Sequence, residues 1–153
     1  VKSYEKMLDL FYPETKTMLG LLKTPMRYAG PREAVFHAII RRNYGCTHSI
    51  VGRDHAGVGK YYGKYAAHQL TKETGDLGIE ILCLYGPYYC TKCKAIVTEN
   101  TCPHRDEFSL SVSGTHIRSL LSAGKRPPET YMRKEIADVL IALGGDNQLF
   151  CTN

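Results

Sequence analysis

The feature that most constrains this chain is a cysteine–histidine cluster past its midpoint: Cys90, Cys93, Cys102 and His104, in the pattern Cys-x2-Cys-x8-Cys-x-His. Two thiolates separated by two residues span one edge of a tetrahedron, and a hairpin returns the other pair to close it. Soft sulfur and imidazole donors select zinc over calcium or magnesium. The Cys-x-His end is tighter than common zinc patterns, which leaves Asp106 as the backup fourth ligand. The cluster shows no open coordination position, so the metal is expected to brace the fold rather than react. A set of ordinary buried or free thiols is the plainer alternative. The chain opens Val1-Lys2-Ser3-Tyr4-Glu5-Lys6, with charges where a secretory leader would be apolar. Clustered cysteines then argue for metal over disulfides, and a cytoplasmic setting is expected.

Around the cysteine-rich segment 88–104, strand-like and helix-like stretches alternate. Apolar residues from Met7 to Leu22 follow helical spacing over residues 3–23, interrupted at Pro13. Gly30-Pro31-Arg32-Glu33 reads as a helix start, with proline in the first turn and an acid near the positive dipole end. Residues 47–51 form a short β-prone run, 61–73 a helix, 78–85 a second strand and 107–112 a third. Residues 113–121 form a helix ended by Gly124, and 129–143 an amphipathic one. This alternation predicts an α/β layer with a mostly parallel sheet.

The 153 residues are 43% hydrophobic and 23% charged, which is a globular rather than a disordered composition. No apolar run approaches the roughly 18–20 residues of a membrane span, so no membrane partner is expected. The net charge of +5 suits an anionic ligand. Basic residues are dispersed, without a block of like charge, and nucleic acid is not expected as a partner. A zinc-ribbon nucleic-acid binder is the rival reading, and its binding would fall steeply with salt.

In open α/β sheets, ligands sit beyond the carboxyl ends of the strands. Two loops hold such positions. The first, residues 52–59, runs Gly52-Arg53-Asp54-His55-Ala56-Gly57-Val58-Gly59. Its glycines admit close backbone approach to an anion, and a helix follows. Arg53 offers a planar fork to phosphate or sulfate oxygens. Asp54 is suited to accept from ribose hydroxyls, and His55 to donate to an oxyanion. This is not a Walker loop: Asp54 stands where its first glycine belongs, and Tyr61 where Ser or Thr belongs. A solvated turn is the bland alternative. The second loop, Val112-Ser113-Gly114-Thr115-His116-Ile117-Arg118, joins a strand to a helix. Ser113 or Thr115 is placed to cap that helix, and Arg118 lies one turn in, toward an anion at the helix N-terminus.

The run Met26-Arg27-Tyr28-Ala29-Gly30-Pro31-Arg32-Glu33-Ala34, with His37-Ala38 and the hexapeptide Gly52 to Gly57, resembles the ATP sulfurylases, the sulfate adenylyltransferases. The second loop resembles the Ser-[Ser/Gly]-Thr-x-x-Arg signature of the wider adenylyltransferase superfamily in its ATP-sulfurylase form. The likeness covers nearly all of residues 1–143. It implies a Rossmann-like nucleotidyltransferase sheet with a small zinc-bound insert, as in zinc-containing bacterial and archaeal-type members, whose insert ends in the Cys-Pro-His seen here. Residues 26–124 would form the catalytic domain, with 1–25 ending a preceding segment and 125–153 a helical tail.

The resemblance also implies chemistry. Sulfate attacks the α-phosphorus of ATP directly and pyrophosphate leaves, giving adenosine 5′-phosphosulfate, with magnesium on the nucleotide. Arg53, His55 and Arg118 would be catalytic. Gly52 and Asp54 would face the ribose, and the Ala56 N–H would touch sulfate. Gly57, Val112 (on the adenine side), Ser113, Gly114 and Thr115 would complete the nucleotide site. A homodimer is implied for the whole enzyme. Family members also carry, in an earlier segment, a Gln-x-Arg-Asn-Pro-x-His-x-x-His motif. Here no Arg-Asn-Pro run occurs, since Arg42-Asn43 is followed by Tyr44. The expectation is therefore a partial chain with little turnover of its own, and the alternative is a non-catalytic, zinc-stabilised nucleotide-binding module.

Other residues are expected to be structural. Cys46 and Cys83 read as small core residues, and Cys151 lies in a loose tail. His37 reads as a satisfied structural histidine, with a ligand contact as the alternative, and His116 as a surface residue. His48 and His68 have no nameable partner. The tyrosines at 61, 62, 65, 85, 88 and 89 read as half-buried packing, with stacking on bases as the alternative.

Overall fold

A computed structural model of the chain describes residues 1–57, 59, 61–104, 106–110 and 114–145, with Asp106 as backbone only. The chain divides into two compact units. One comprises Val1–Leu22, Tyr88–Val97 and His104–Asn153; the other comprises Lys23–Pro87 and Thr98–Pro103.

The unit built on Lys23–Pro87 is a helix followed by a β-α-β crossover. Helix α2 (Pro31–Asn43) precedes strand β1 (His48–Val51), helix α3 (Ala66–Glu73) and strand β2 (Glu80–Cys83). The strands pair in parallel, His48 opposite Glu80 and Val51 opposite Cys83. A parallel pair needs a crossover, and α3 supplies it. Ala34 of α2, Val51 of β1 and Ala67 of α3 are buried against Ile81 of β2. Alanine at the two helix positions lets both helices approach the strands closely.

Helix α2 starts where the proline predicts. Gly30 is its N-cap at φ +55°, and Pro31 occupies the first turn. A Cβ at Gly30 would stand 2.5 Å from a Tyr62 ring carbon, so both backbone angle and space call for glycine. Glu33, in the first turn, is 2% exposed. Its carboxylate accepts from the N–H groups of Arg27 and Ala29, both at 2.9 Å. This is a capping box extended backward, and it pins residues 27–29 to the helix start.

In the other unit, α1 (Lys2–Phe11) and α4 (Gly114–Ser122) both pack on α5 (Lys134–Gly145). The Arg133 guanidinium lies 4.0 Å from the centroid of the Phe11 ring. Strands β3 (Tyr88–Cys90), β4 (Ala95–Val97) and β5 (Ser109–Leu110) form an antiparallel sheet ordered β4-β3-β5.

Several elements differ from expectation. The third strand, expected over 107–112, is described only as β5, and it pairs antiparallel with β3 of the cysteine segment. Alternating residues specify a strand but not its partner. The helix expected over 61–73 begins only at Ala66, after Gly63. The N-terminal helix ends at Phe11, ahead of Pro13, and does not resume as an α-helix. Cys46 is exposed, not core, and Cys83 is half-buried. Cys151 lies outside the described residues. Among the described residues, no helix is long and apolar enough to cross a membrane.

Candidate nucleotide site and metal centre

Because Val51 faces Cys83 in register, the chain leaves both strands at the same end. The 52–59 loop and residues 84–87 therefore emerge side by side beyond the strand C-termini. Between them opens a cleft of about 740 Å3, whose lining includes Ile50, Gly52, Arg53, Leu84, Tyr85 and Asn100. Arg53 also lines an adjoining hollow with Asp54, Gly59, Tyr62 and Lys64. Its side chain lies along Gly86, where an added Cβ would stand 2.8 Å from Arg53 Cδ.

The loop backbone is held in an uncommon shape. Asp54 and Ala56 both take left-handed angles, φ +51° and +52°. Such angles cost about 1–3 kcal/mol at non-glycine residues and persist only where the surroundings impose them. Here three main-chain bonds do so. The Asp54 N–H donates to the Lys64 carbonyl at 2.8 Å, Gly57 N–H to Asp54 at 3.3 Å, and Gly30 N–H to Ala56 at 3.3 Å. The motif thus folds back onto the start of α2. Val58 lies outside the described residues.

That folding joins two histidines. His55 Nε2 lies 3.2 Å from His37 Nδ1, and His37 Nε2 lies 3.6 Å from Glu33 Oε1. Burial pushes the pKa values of both imidazoles down, Arg41 adds to this, and Glu33 partly opposes it. Glu33 is held below the ordinary carboxylate range, first by the Arg27 N–H, against its own burial. His37 is therefore a buried histidine with a specific loop partner. Spacing along α2 gives no hint of this, because the partner arrives from a distant loop.

His68 also gains a partner. Its Nε2 donates to the Val51 carbonyl at 3.0 Å, at the end of β1. Tyr65 stacks on His68 and meets Tyr85 edge-on, while its hydroxyl accepts from the Gly86 N–H at 3.2 Å. Those tyrosines are packing residues, whereas Tyr61 is 86% exposed.

Of the second loop, Gly114 and Thr115 are described and open α4, while Val112 and Ser113 lie outside the described residues. Arg118 turns back toward the start of its own helix, with Nη2 3.4 Å from Thr115 Oγ1. His116 is exposed, as expected.

The ligand atoms of Cys90, Cys93, Cys102 and His104 all lie within 4.8 Å of one another. His104 Nδ1 faces the sulfurs, 3.5 Å from Cys90 and 3.2 Å from Cys93. Tetrahedral zinc with ordinary bond lengths needs edges of about 3.5–3.8 Å, so small shifts would let these four residues hold such an ion. The Cys93 N–H points at the Cys90 sulfur at 3.4 Å, and Lys94 turns the chain at φ +54°. The Tyr88 hydroxyl approaches the His104 carbonyl at 3.4 Å, and Phe108 meets the imidazole edge-on. Such contacts orient a ligand ring. No disulfide joins cysteines among the described residues, and the side chain of Asp106 lies outside them.

The family model of ATP sulfurylase matches residues 1–143. The sulfate adenylyltransferase of Aeropyrum pernix is 50% identical over 142 residues, covering 93% of this chain and 37% of that protein. The sulfate adenylyltransferase of Halothermothrix orenii is 50% identical over 143 residues, with 92% and 37% covered. This chain thus spans little more than a third of the length of the curated relatives it matches. Among solved structures, a hexameric APS kinase from Thiobacillus denitrificans superposes with TM-score 0.66 at 25% identity, over 91% of this chain and 25% of that one.

Proposed function

This chain belongs to the ATP-sulfurylase family, and we propose that it forms the nucleotide-binding part of a sulfate adenylyltransferase. In that reaction a sulfate oxygen attacks the α-phosphorus of ATP. The new bond joins sulfur, through oxygen, to that phosphorus, and the bond to the β-phosphate oxygen breaks. Pyrophosphate departs with the electron pair, and adenosine 5′-phosphosulfate remains. The reverse reaction uses the same site.

The observation that carries this reading is the strained Arg53-Asp54-His55-Ala56 turn at the end of a parallel strand, beside an open cleft. Two mutually repelling anions must be held together, so positioning and charge neutralisation are the protein's main work. Arg53 supplies a fixed positive fork at the cleft. Gly52 and Asp54 serve the ribose, and Ala56 and Gly57 lend backbone to sulfate. Arg118, with Val112, Ser113, Gly114 and Thr115, completes the grip on the adenylate. His55 is the remaining polar group of the turn.

Zinc is the metal we assign to the Cys90, Cys93, Cys102 and His104 cluster, in a structural role. Three thiolates and one imidazole form a closed tetrahedral set without room for substrate. Magnesium would travel with ATP, held mainly by phosphates. We read residues 26–124 as the catalytic domain, the protein as cytoplasmic and the whole enzyme as a homodimer. Nucleic acid and membrane are not among its partners.

Binding of adenosine 5′-phosphosulfate to this chain tests the reading, with turnover of ATP and sulfate assayed in parallel. We expect binding with little or no turnover, because the sequence lacks the Arg-Asn-Pro run. Absence of nucleotide binding contradicts the reading.

A further inference from the structure

We propose that Glu33 and His37 are positioning residues that fix the tautomer of His55, making the loop histidine a hydrogen-bond acceptor. This rests on the nucleotide reading above only for what approaches the ring.

The argument is one of exclusion along a chain of three groups. Glu33 is 2% exposed and already accepts two backbone N–H bonds, one on each oxygen. A carboxylate so placed stays ionised and can only accept. The ring atom of His37 that faces it is Nε2, at 3.6 Å. That separation is beyond a good hydrogen bond, but its electrostatics still favours the proton on the nitrogen nearest the anion. A neutral His37 with its proton on Nε2 has a bare Nδ1. That nitrogen lies 3.2 Å from His55 Nε2, which must then carry the hydrogen. His55, neutral in turn, is left with a lone pair on Nδ1.

A doubly protonated His37 would reverse the last step, and its surroundings oppose it. The charged groups acting on the pair are Glu33 and Arg41, both on α2. Glu33 favours a proton, whereas burial and Arg41 disfavour it. Arg41 Nη1 is itself buried, with no hydrogen-bond partner among the described residues, so its positive charge is poorly screened there.

The consequence concerns specificity. A lone pair repels phosphate and sulfate oxygens and attracts a hydroxyl. In this tautomer His55 accepts where the sequence reading has it donate to an oxyanion. In this loop Arg53 faces anions, and His55 takes a hydrogen bond from a donor such as a nucleoside hydroxyl. Glu33 and His37 act through the ring they orient.

The test is a long-range 1H–15N correlation spectrum of the histidine-labelled chain near neutral pH, which reads each imidazole tautomer directly. His55 is expected as the pure Nε2–H form. In His37→Phe, which keeps an aromatic ring, though a larger one, and removes the acceptor, His55 should become a tautomer mixture. An Nδ1–H form of His55 in the unmodified chain overturns the proposal, as does an unchanged tautomer in a folded His37→Phe. If that variant does not fold, the unmodified spectrum alone decides. Adenosine 5′-phosphosulfate and inorganic sulfate are then titrated separately. The nucleotide should move the His55 Nδ1 resonance and sulfate should not. A persisting Nε2–H tautomer with no response to nucleotide contradicts the nucleotide reading while upholding the positioning chain, so the two failures are told apart.

Discussion

The carboxylate of Asp54 folds over the Cα of Gly57 and fills the space a Cβ there would need. The loop thereby uses a missing side chain to seat an acid. At Gly57 the obstacle is the end of a side chain, which can rotate away. Gly57→Ala should therefore leave stability nearly unchanged and weaken adenosine 5′-phosphosulfate binding about tenfold, ~1.4 kcal/mol. Gly30→Ala differs, since its φ is +55° and the Tyr62 ring stands in the way. It should destabilise by about 1–3 kcal/mol. Thermal unfolding with calorimetric titration separates the two variants. Equal melting losses would contradict the account.

Metal removal should act on folding. Chelation is expected to lower the melting temperature by several degrees, and elemental analysis to find zinc stoichiometric with the chain. Cys102→Ser removes a ligand whose side chain is buried, and it should mimic chelation. An unchanged melting curve in chelated, zinc-free protein would remove the metal assignment.

Acid should destabilise the fold through the histidine pair. Both imidazoles titrate below their ordinary value in the folded chain, chiefly through burial. The unfolded chain takes up these protons near pH ~6.5. Their contribution is complete above that value and is lost as pH falls through the lower folded pKa values. Glu33, also lowered, adds a loss beginning below the ordinary carboxylate range. The melting temperature of the unmodified chain should fall from about pH 7 to about pH 5 more steeply than that of His37→Gln. Comparing the two cancels the acid sensitivity of the thiolate cluster. Identical slopes would contradict the histidine account.

Much of this was legible in the residues. Gly30-Pro31 marks a helix start because each residue fits one backbone requirement, and α2 begins there. The cysteine spacing encodes a local turn, and the four ligand atoms are adjacent. Contacts between distant segments were not legible. Glu33 sits in the first turn of α2 as expected, and the added bonds from Arg27 and Ala29 depend on how the chain enters the helix. His37 met its partner only when the 52–57 turn folded back, and His68 found the end of β1. Of the strand expected over 107–112, Ser109 and Leu110 pair as β5 while residues 107 and 108 end a 3-10 turn, and period-two alternation does not specify the neighbour.

We propose that Arg53 and Arg118 each contribute to adenylate binding. Calorimetry with adenosine 5′-phosphosulfate tests it on the unmodified chain, Arg53→Ala and Arg118→Ala. Each substitution is predicted to weaken binding by about 1.5–3 kcal/mol, the scale of a charge-assisted hydrogen bond. Full affinity in either variant, or none in the unmodified chain, would contradict it.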